Sequence, residues 1–186
     1  CAAGLSSGDD NVLIGNYTGY GLTGSDNNVA IGSSAFYRAT SGADNNVAIG
    51  FNAMSGNFTT ANVDSCVIIG SNAVEGTLTS ASTGTVAIGQ SAGNALTAAT
   101  NSRENTLVGN SAGSVMTIAD GNVGVGAFAL LAEVAGNSSV AVGYEALTAQ
   151  TSGSDTDVHN VAVGFRAGAA VSTGINNTLV GAEAGD

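Results

Sequence analysis

Asn28-Val-Ala-Ile-Gly32-Ser-Ser-Ala35 returns as Asn46-Val-Ala-Ile-Gly50-Phe-Asn-Ala53, and the reading of this stretch decides the fold. The pattern is Asn-Val-small-Ile/Val-Gly, two free positions, then Ala. It is met again at Thr85-Val-Ala-Ile-Gly89, Asn105-Thr-Leu-Val-Gly109 and Asn160-Val-Ala-Val-Gly164. The anchoring glycines are Gly15, Gly32, Gly50, Gly70, Gly89, Gly109, Gly126, Gly143, Gly164 and Gly181, spaced 17 to 21 residues apart. An alanine follows three residues later in every copy but the first, which has Thr18; Ala92 and Ala167 are two of the series. Self-similarity at a fixed period is the signature of a repeat architecture.

Each apolar burst predicts a strand. It is four residues long, carries β-branched residues at alternate positions and stops at glycine. Alternation sends Val29 and Ile31, Val47 and Ile49, Val86 and Ile88, and Val161 and Val163 to one face, and the small middle residue to the other. The glycines Gly32, Gly50, Gly89 and Gly164 suit a turn or a close approach that a Cβ would hinder. The alanines Ala35, Ala53, Ala92 and Ala167 suit a tight interior on a returning strand. Between bursts, stretches such as Tyr37 to Asn45 and Thr148 to His159 have the Ser, Thr, Gly, Asn and Asp content of loops. The expected fold is all-β: a single β-solenoid, or β-roll, over residues 1–186, with about ten coils of 17–21 residues. Stacked at ~4.8 Å per strand, it would form a rod of roughly 50 Å.

The middle strand residue is Leu13, Ala30, Ala48, Ile68, Ala87, Leu107, Gly124, Ala141, Ala162 or Leu179, and none is polar. A sheet with one face in water alternates apolar with polar. Both faces therefore require cover, which predicts several chains side by side, a closed homotrimer foremost. Cys1-Ala2-Ala3-Gly4 and Ala182-Glu183-Ala184-Gly185 repeat the element after the glycine, so the sequence starts and stops at one phase without a polar cap. A segment of a longer fibre, or end-to-end stacking of copies, is the expectation.

Composition narrows the partners. The chain has 28 Gly, no Pro and no Trp, and its net charge of −11 repels phosphate backbones and anionic lipid. Neither nucleic acid nor membrane insertion by this segment is expected, because no apolar run nears the ~18 residues of a span. Cys66 precedes an apolar strand and reads as a buried thiol; Cys1 would carry a lipid only in a processed lipoprotein.

At Asn28-Val-Ala-Ile-Gly32-Ser-Ser-Ala35 and Asn160-Val-Ala-Val-Gly164-Phe-Arg-Ala167 the repeat resembles the head repeat of trimeric autotransporter adhesins, the left-handed β-roll of the YadA-like family. Asn177-Thr-Leu-Val-Gly181 and Ser139-Val-Ala-Val-Gly143-Tyr-Glu-Ala-Leu147 resemble repeats of phage tail fibres and of large bacterial surface proteins. The resemblance implies a left-handed, trimeric, non-enzymatic rod at a cell surface, outside the cell or on a virion tail. The adhesin repeat is shorter and more regular than these coils.

Candidate chemistry is sparse. His159, the one histidine, lies in Asp155-Thr-Asp157-Val-His159, a set that could hold a metal, although a solvated turn is the default. No nucleophile elbow accompanies it, and no cofactor or enzymatic activity is expected. Asp26, Asp44, Asp64 and Asp120 recur at similar phase, where calcium could bridge loops. Gly19-Tyr-Gly-Leu-Thr-Gly24 matches a dinucleotide fingerprint as a string but lacks the strand and helix around it. The function expected is a structural or adhesive fibre segment presenting loops to a glycan, a cell-surface receptor or further copies. Alternatives are a phage tail-fibre shaft and an ice-binding solenoid; Tyr17, Tyr20, Phe36, Tyr37 and Phe58 are the expected aromatic anchors.

Overall fold

A strand of a few residues can satisfy its backbone only by pairing with the same burst in the next coil. The computed structural model describes residues 7–38, 42–58, 63–76, 82–97 and 104–186. In chain order the strands are β1 (Val12–Ile14), β2 (Val29–Ile31), β3 (Val47–Ile49), β4 (Val63–Asp64), β5 (Val67–Ile69), β6 (Ser82–Thr83) and β7 (Val86–Ile88). They continue with β8 (Thr106–Val108), β9 (Val123–Val125), β10 (Gly136–Asn137), β11 (Val140–Val142), β12 (Thr156–Asp157), β13 (Val161–Val163) and β14 (Thr178–Val180). No helix occurs among the described residues.

Ten strands form one parallel sheet in the order β1-β2-β3-β5-β7-β8-β9-β11-β13-β14. Val12 lies beside Val29, Val29 beside Val47, and Val161 beside Thr178, so the pairing offsets equal the glycine spacings read from the sequence. The pairs β4-β6 and β10-β12 form two short ladders away from it. The β-solenoid expectation holds. The count of ten coils does not: the array makes about eight turns. Ten strands bound fewer turns than their number because β1 and β14 each have a neighbour on one side alone, leaving eight stacked on both. Each strand of the long sheet is three residues long, and the leading Asn serves as a side-chain ladder instead.

The glycines stack in a column. Gly50 has a φ of +134°, and a Cβ there would lie 2.6 Å from the carbonyl oxygen of Gly70 in the next coil. The alanine three residues on lies in a turn rather than on a returning strand: the Ala35 N–H donates to the Gly32 carbonyl at 3.3 Å, and the same bond recurs at Ala92 and Ala167. The chain folds inward directly after the sheet, leaving a narrow interior. Ala35, Ala53, Ala92 and Ala167 are fully buried there.

Large side chains near the turn fill what the alanines leave, by two routes, and Phe58 adds a second in the Met54 coil. In some coils Phe36, Met54, Val74, Leu130 or Leu147 stands immediately after the alanine, at a φ of 46° to 54°, and points into the core. In others that position is Gly19, Gly93, Gly113 or Gly168, and Leu22, Leu96, Met116 or Val171, three residues later, occupies the space. A Cβ on Gly93 would lie 2.8 Å from Leu96 Cδ1, so the routes are mutually exclusive.

The leading asparagines form a buried ladder. The Asn28 side chain donates to Asn11 Oδ1 at 3.0 Å and to the Ala43 carbonyl at 2.8 Å, clasping the loop that closes its coil. Asn122 repeats this against Asn105 Oδ1 and the Gly136 carbonyl. Cys66, Thr85 and Ser139 occupy the same column and interrupt it; Cys66 is buried, with its Sγ 3.5 Å from the Asp64 carbonyl.

Candidate docking face

The structure decides which face of the sheet lies inside. Ala30, Ala48, Ile68, Ala87, Leu107, Ala141 and Ala162, the middle residues, are the fully buried ones. Val29 and Ile31, Val47 and Ile49, and Val86 and Ile88 point outward and are half-buried. Every strand of the long sheet presents two outward residues, and all but Thr106 and Thr178 are Val or Ile. The outer face is a flat apolar strip without a charge. Exposure rises at its ends, where Ile14 and Val180 lack a neighbouring strand on one side.

Both faces are apolar, as the sequence indicated, but the uncovered one carries the β-branched residues. Volume decides this. An interior closed by a turn right after the glycine has room for alanine columns and not for paired Val and Ile columns. Leu107 fits inside because its neighbour on the next strand is Gly124, whose Cβ would come within 3.3 Å of Leu107 Cδ2. The outward columns carry hydroxyls only at Thr106 and Thr178, so they offer no threonine ladder to order ice.

The expected aromatic anchors divide. Phe36 and Phe58 are fully buried, with ring centroids 6.4 Å apart, and belong to the core. Tyr17, Tyr20 and Tyr37 form an outer cluster: Tyr20 stacks on Tyr37 at 5.2 Å, and Arg38 lies 5.1 Å from the Tyr37 ring. The exposed aromatics that sequence reading passed over are Phe51, Tyr144 and Phe165, each directly after an anchoring glycine. That shared position was the available signal.

Asp155, Asp157 and His159 are all exposed, and Asp155 Oδ1 accepts a hydrogen bond from Asn137 Nδ2 at 2.7 Å. Among the described residues no three His, Cys, Asp or Glu side chains are gathered as metal ligands. The recurring carboxylates have another task. Asp26, Asp44 and Asp64 each accept the backbone N–H of the equivalent residue one coil earlier, at 2.7 to 2.9 Å. Glu104, Asp120 and Asp157 line an acidic groove of about 370 Å³ along that edge. Gly19 and Gly21 have φ of 62° and 87°, which is turn geometry rather than a phosphate cradle before a helix.

One carboxylate is buried. Glu133 Oε1 accepts the N–H groups of Val134, Ala135, Gly136 and Ser152, and its Oε2 accepts from Gln150 Nε2 at 2.8 Å. Gln150 in turn accepts from Asn160 Nδ2, tying the longest coil to the asparagine ladder. At the surface, the hydrogen bond that Tyr144 gives the Glu145 carboxylate raises its phenol pKa above the ordinary value, with smaller contributions from burial and from the Glu145 charge. The Cys1 to Gly4 element and Arg103 lie outside the described residues.

No protein-family model, curated protein or solved structure matches this chain.

Proposed function

We propose that this chain is a structural segment of an extracellular or virion-borne fibre, and that it works by packing its Val/Ile face against further copies of itself. The uncovered apolar strip carries the proposal. A three-residue-wide strip running the length of ten strands measures roughly 450 Å². That is the size of the largest apolar patch on a typical monomer, which is often functional. It is about half of one partner's share of a standard interface, the size of a weak, reversible contact. The strip is self-complementary because every row repeats the same side chains at one spacing, and the 14 carboxylates all lie elsewhere on the chain. Three copies turned toward a common axis would cover all three strips, in the left-handed, trimeric arrangement that the resemblance implies. The role is mechanical and adhesive rather than catalytic, with the polar loops left outermost.

Sedimentation velocity across a concentration series up to about 100 µM tests the reading. The expected result is reversible association toward three times 17.9 kDa. The double variant Ile69→Asp/Ile88→Asp should then sediment as a monomer with an unchanged far-UV circular dichroism spectrum. A wild-type chain that stays monomeric throughout overturns the proposal.

A further inference from the structure

Directly after the glycine, earlier coils carry Asn16, Ser33, Ser71, Gln90 and Asn110, with Phe51 a lone exposed ring. Near the C-terminal end rings gather in three successive coils: Tyr144 and Phe165 directly after the glycine, and Phe128 one residue further on. Phe128 stands edge-on to Tyr144, with centroids 5.9 Å apart and planes at 88°. Tyr144 stacks on Phe165 at 5.5 Å with planes 10° apart. Tyr144 and Phe165 remain 42% and 50% exposed. The face of Phe165 remote from Tyr144 is turned toward the last coil, where the equivalent residue is Ala182, too small to cover it.

Charged groups border the rings. Glu145 Oε2 lies 3.3 Å from Arg166 Nε, and Arg166 Nη2 lies 3.9 Å from Asp186 Oδ1. The Arg166 Nε–H points away from any acceptor, so this is a charge contact and not a bidentate pair. An open ring face beside a carboxylate and a guanidinium is the chemistry that receives a sugar. A β-gluco pyranose has every ring C–H axial and every hydroxyl equatorial, so its apolar face lies on the ring while its edge hydroxyls donate to the carboxylate and accept from the guanidinium. Packing a protein on the same corner would desolvate Glu145, Arg166 and Asp186 without replacing their water contacts, whereas hydroxyls replace them. The net charge of −11 repels acidic sugars.

We infer that the Tyr144–Phe165 corner, with Glu145 and Arg166, binds a neutral β-linked oligosaccharide of gluco configuration. The inference rests on the fibre reading insofar as this corner stays outermost when copies pack. Calorimetric titration of cellohexaose and of chitohexaose tests it, on wild type, Phe165→Ala and Glu145→Gln, with sedimentation velocity on the same samples. The expected result is saturable binding of at least one sugar by wild type. Phe165→Ala should weaken it roughly tenfold, the worth of one ring contact. Glu145→Gln, which leaves the ring stack in place, should weaken it too. Failure of both sugars to bind wild type overturns the inference, and so does full binding by Phe165→Ala. Loss of association in Phe165→Ala without any sugar binding also overturns it, since the corner would then be a contact between copies. A wild-type monomer that binds sugar overturns the fibre reading and leaves this one standing.

Discussion

Asn46 Nδ2 donates to Asn28 Oδ1 at 3.1 Å, one coil earlier. The same amide also donates to the Val63 carbonyl at 2.6 Å, and its Oδ1 accepts the Cys66 N–H at 3.0 Å. One buried side chain thus ties three coils together, because a primary amide offers donors and an acceptor at once.

Asn46→Ala removes the buried hydrogen bonds that its side chain makes to the Cys66 N–H, the Val63 carbonyl and Asn28 Oδ1. The expected loss is about 3 kcal/mol, since each unsatisfied buried group costs about 1–3 kcal/mol. Urea denaturation followed by circular dichroism measures it; a loss within ~0.5 kcal/mol would show that the ladder is not a major source of stability.

Thr85 stands in the same column, and its buried Oγ1 finds no hydrogen-bond partner. Thr85→Asn should place an acceptor against Asn105 and stabilise the chain by about 1 kcal/mol. Pairing it with Cys66→Asn should add to the gain, because the ladder would then run unbroken from Asn11 to Asn122. A lower urea midpoint in the double variant would contradict this.

Two glycines separate geometry from composition. Gly50→Ala forces a Cβ into the Gly70 carbonyl at an unfavourable φ, and a loss of more than about 3 kcal/mol is expected. Gly153→Ala meets nothing within 4 Å and should change stability by less than about 0.5 kcal/mol. Thermal melts of the two variants side by side decide it.

Neighbouring residues of one strand test which face is inside. Ala87→Asp buries a carboxylate in the core and should prevent folding, at a cost of several kcal/mol. Ile88→Asp places the charge on the outer strip and should leave the far-UV spectrum intact while weakening association. The opposite pattern would show that the Val/Ile face lies inside.

Glu133→Ala strands four backbone N–H groups and the Gln150 amide, so a loss of at least about 3 kcal/mol is expected. Glu133→Gln keeps the acceptor toward the backbone but sets one amide donor against another at Gln150, and should fall between Glu133→Ala and wild type. Equal stability of all three proteins would mean that the buried network is dispensable.

The sequence by itself determined the repeat, the ten strands of the long sheet, the pairing offsets from Val12 to Thr178 and the glycine column, because each rests on local chemistry; the short strands β4, β6, β10 and β12 fell in stretches of loop composition. A β-branched burst favours extended backbone, and only glycine tolerates the φ at Gly32 with another backbone against it. The inward position of the alanine after each glycine was legible too, and so was the apolar character of both sheet faces. What tertiary structure alone decided was which face lies inside. Hydropathy favours burying Val29 and Ile31 over Ala30, but β-branching here marks strand conformation rather than burial. The turn after Gly32 closes the coil so tightly that alanine columns fit within it and Val/Ile columns do not. The same closure took Phe36 and Phe58 from the candidate surface into the core, and it left Tyr144 and Phe165 outside, one residue after their glycines. Interior width is set by how successive coils stack, and no single window of sequence encodes it.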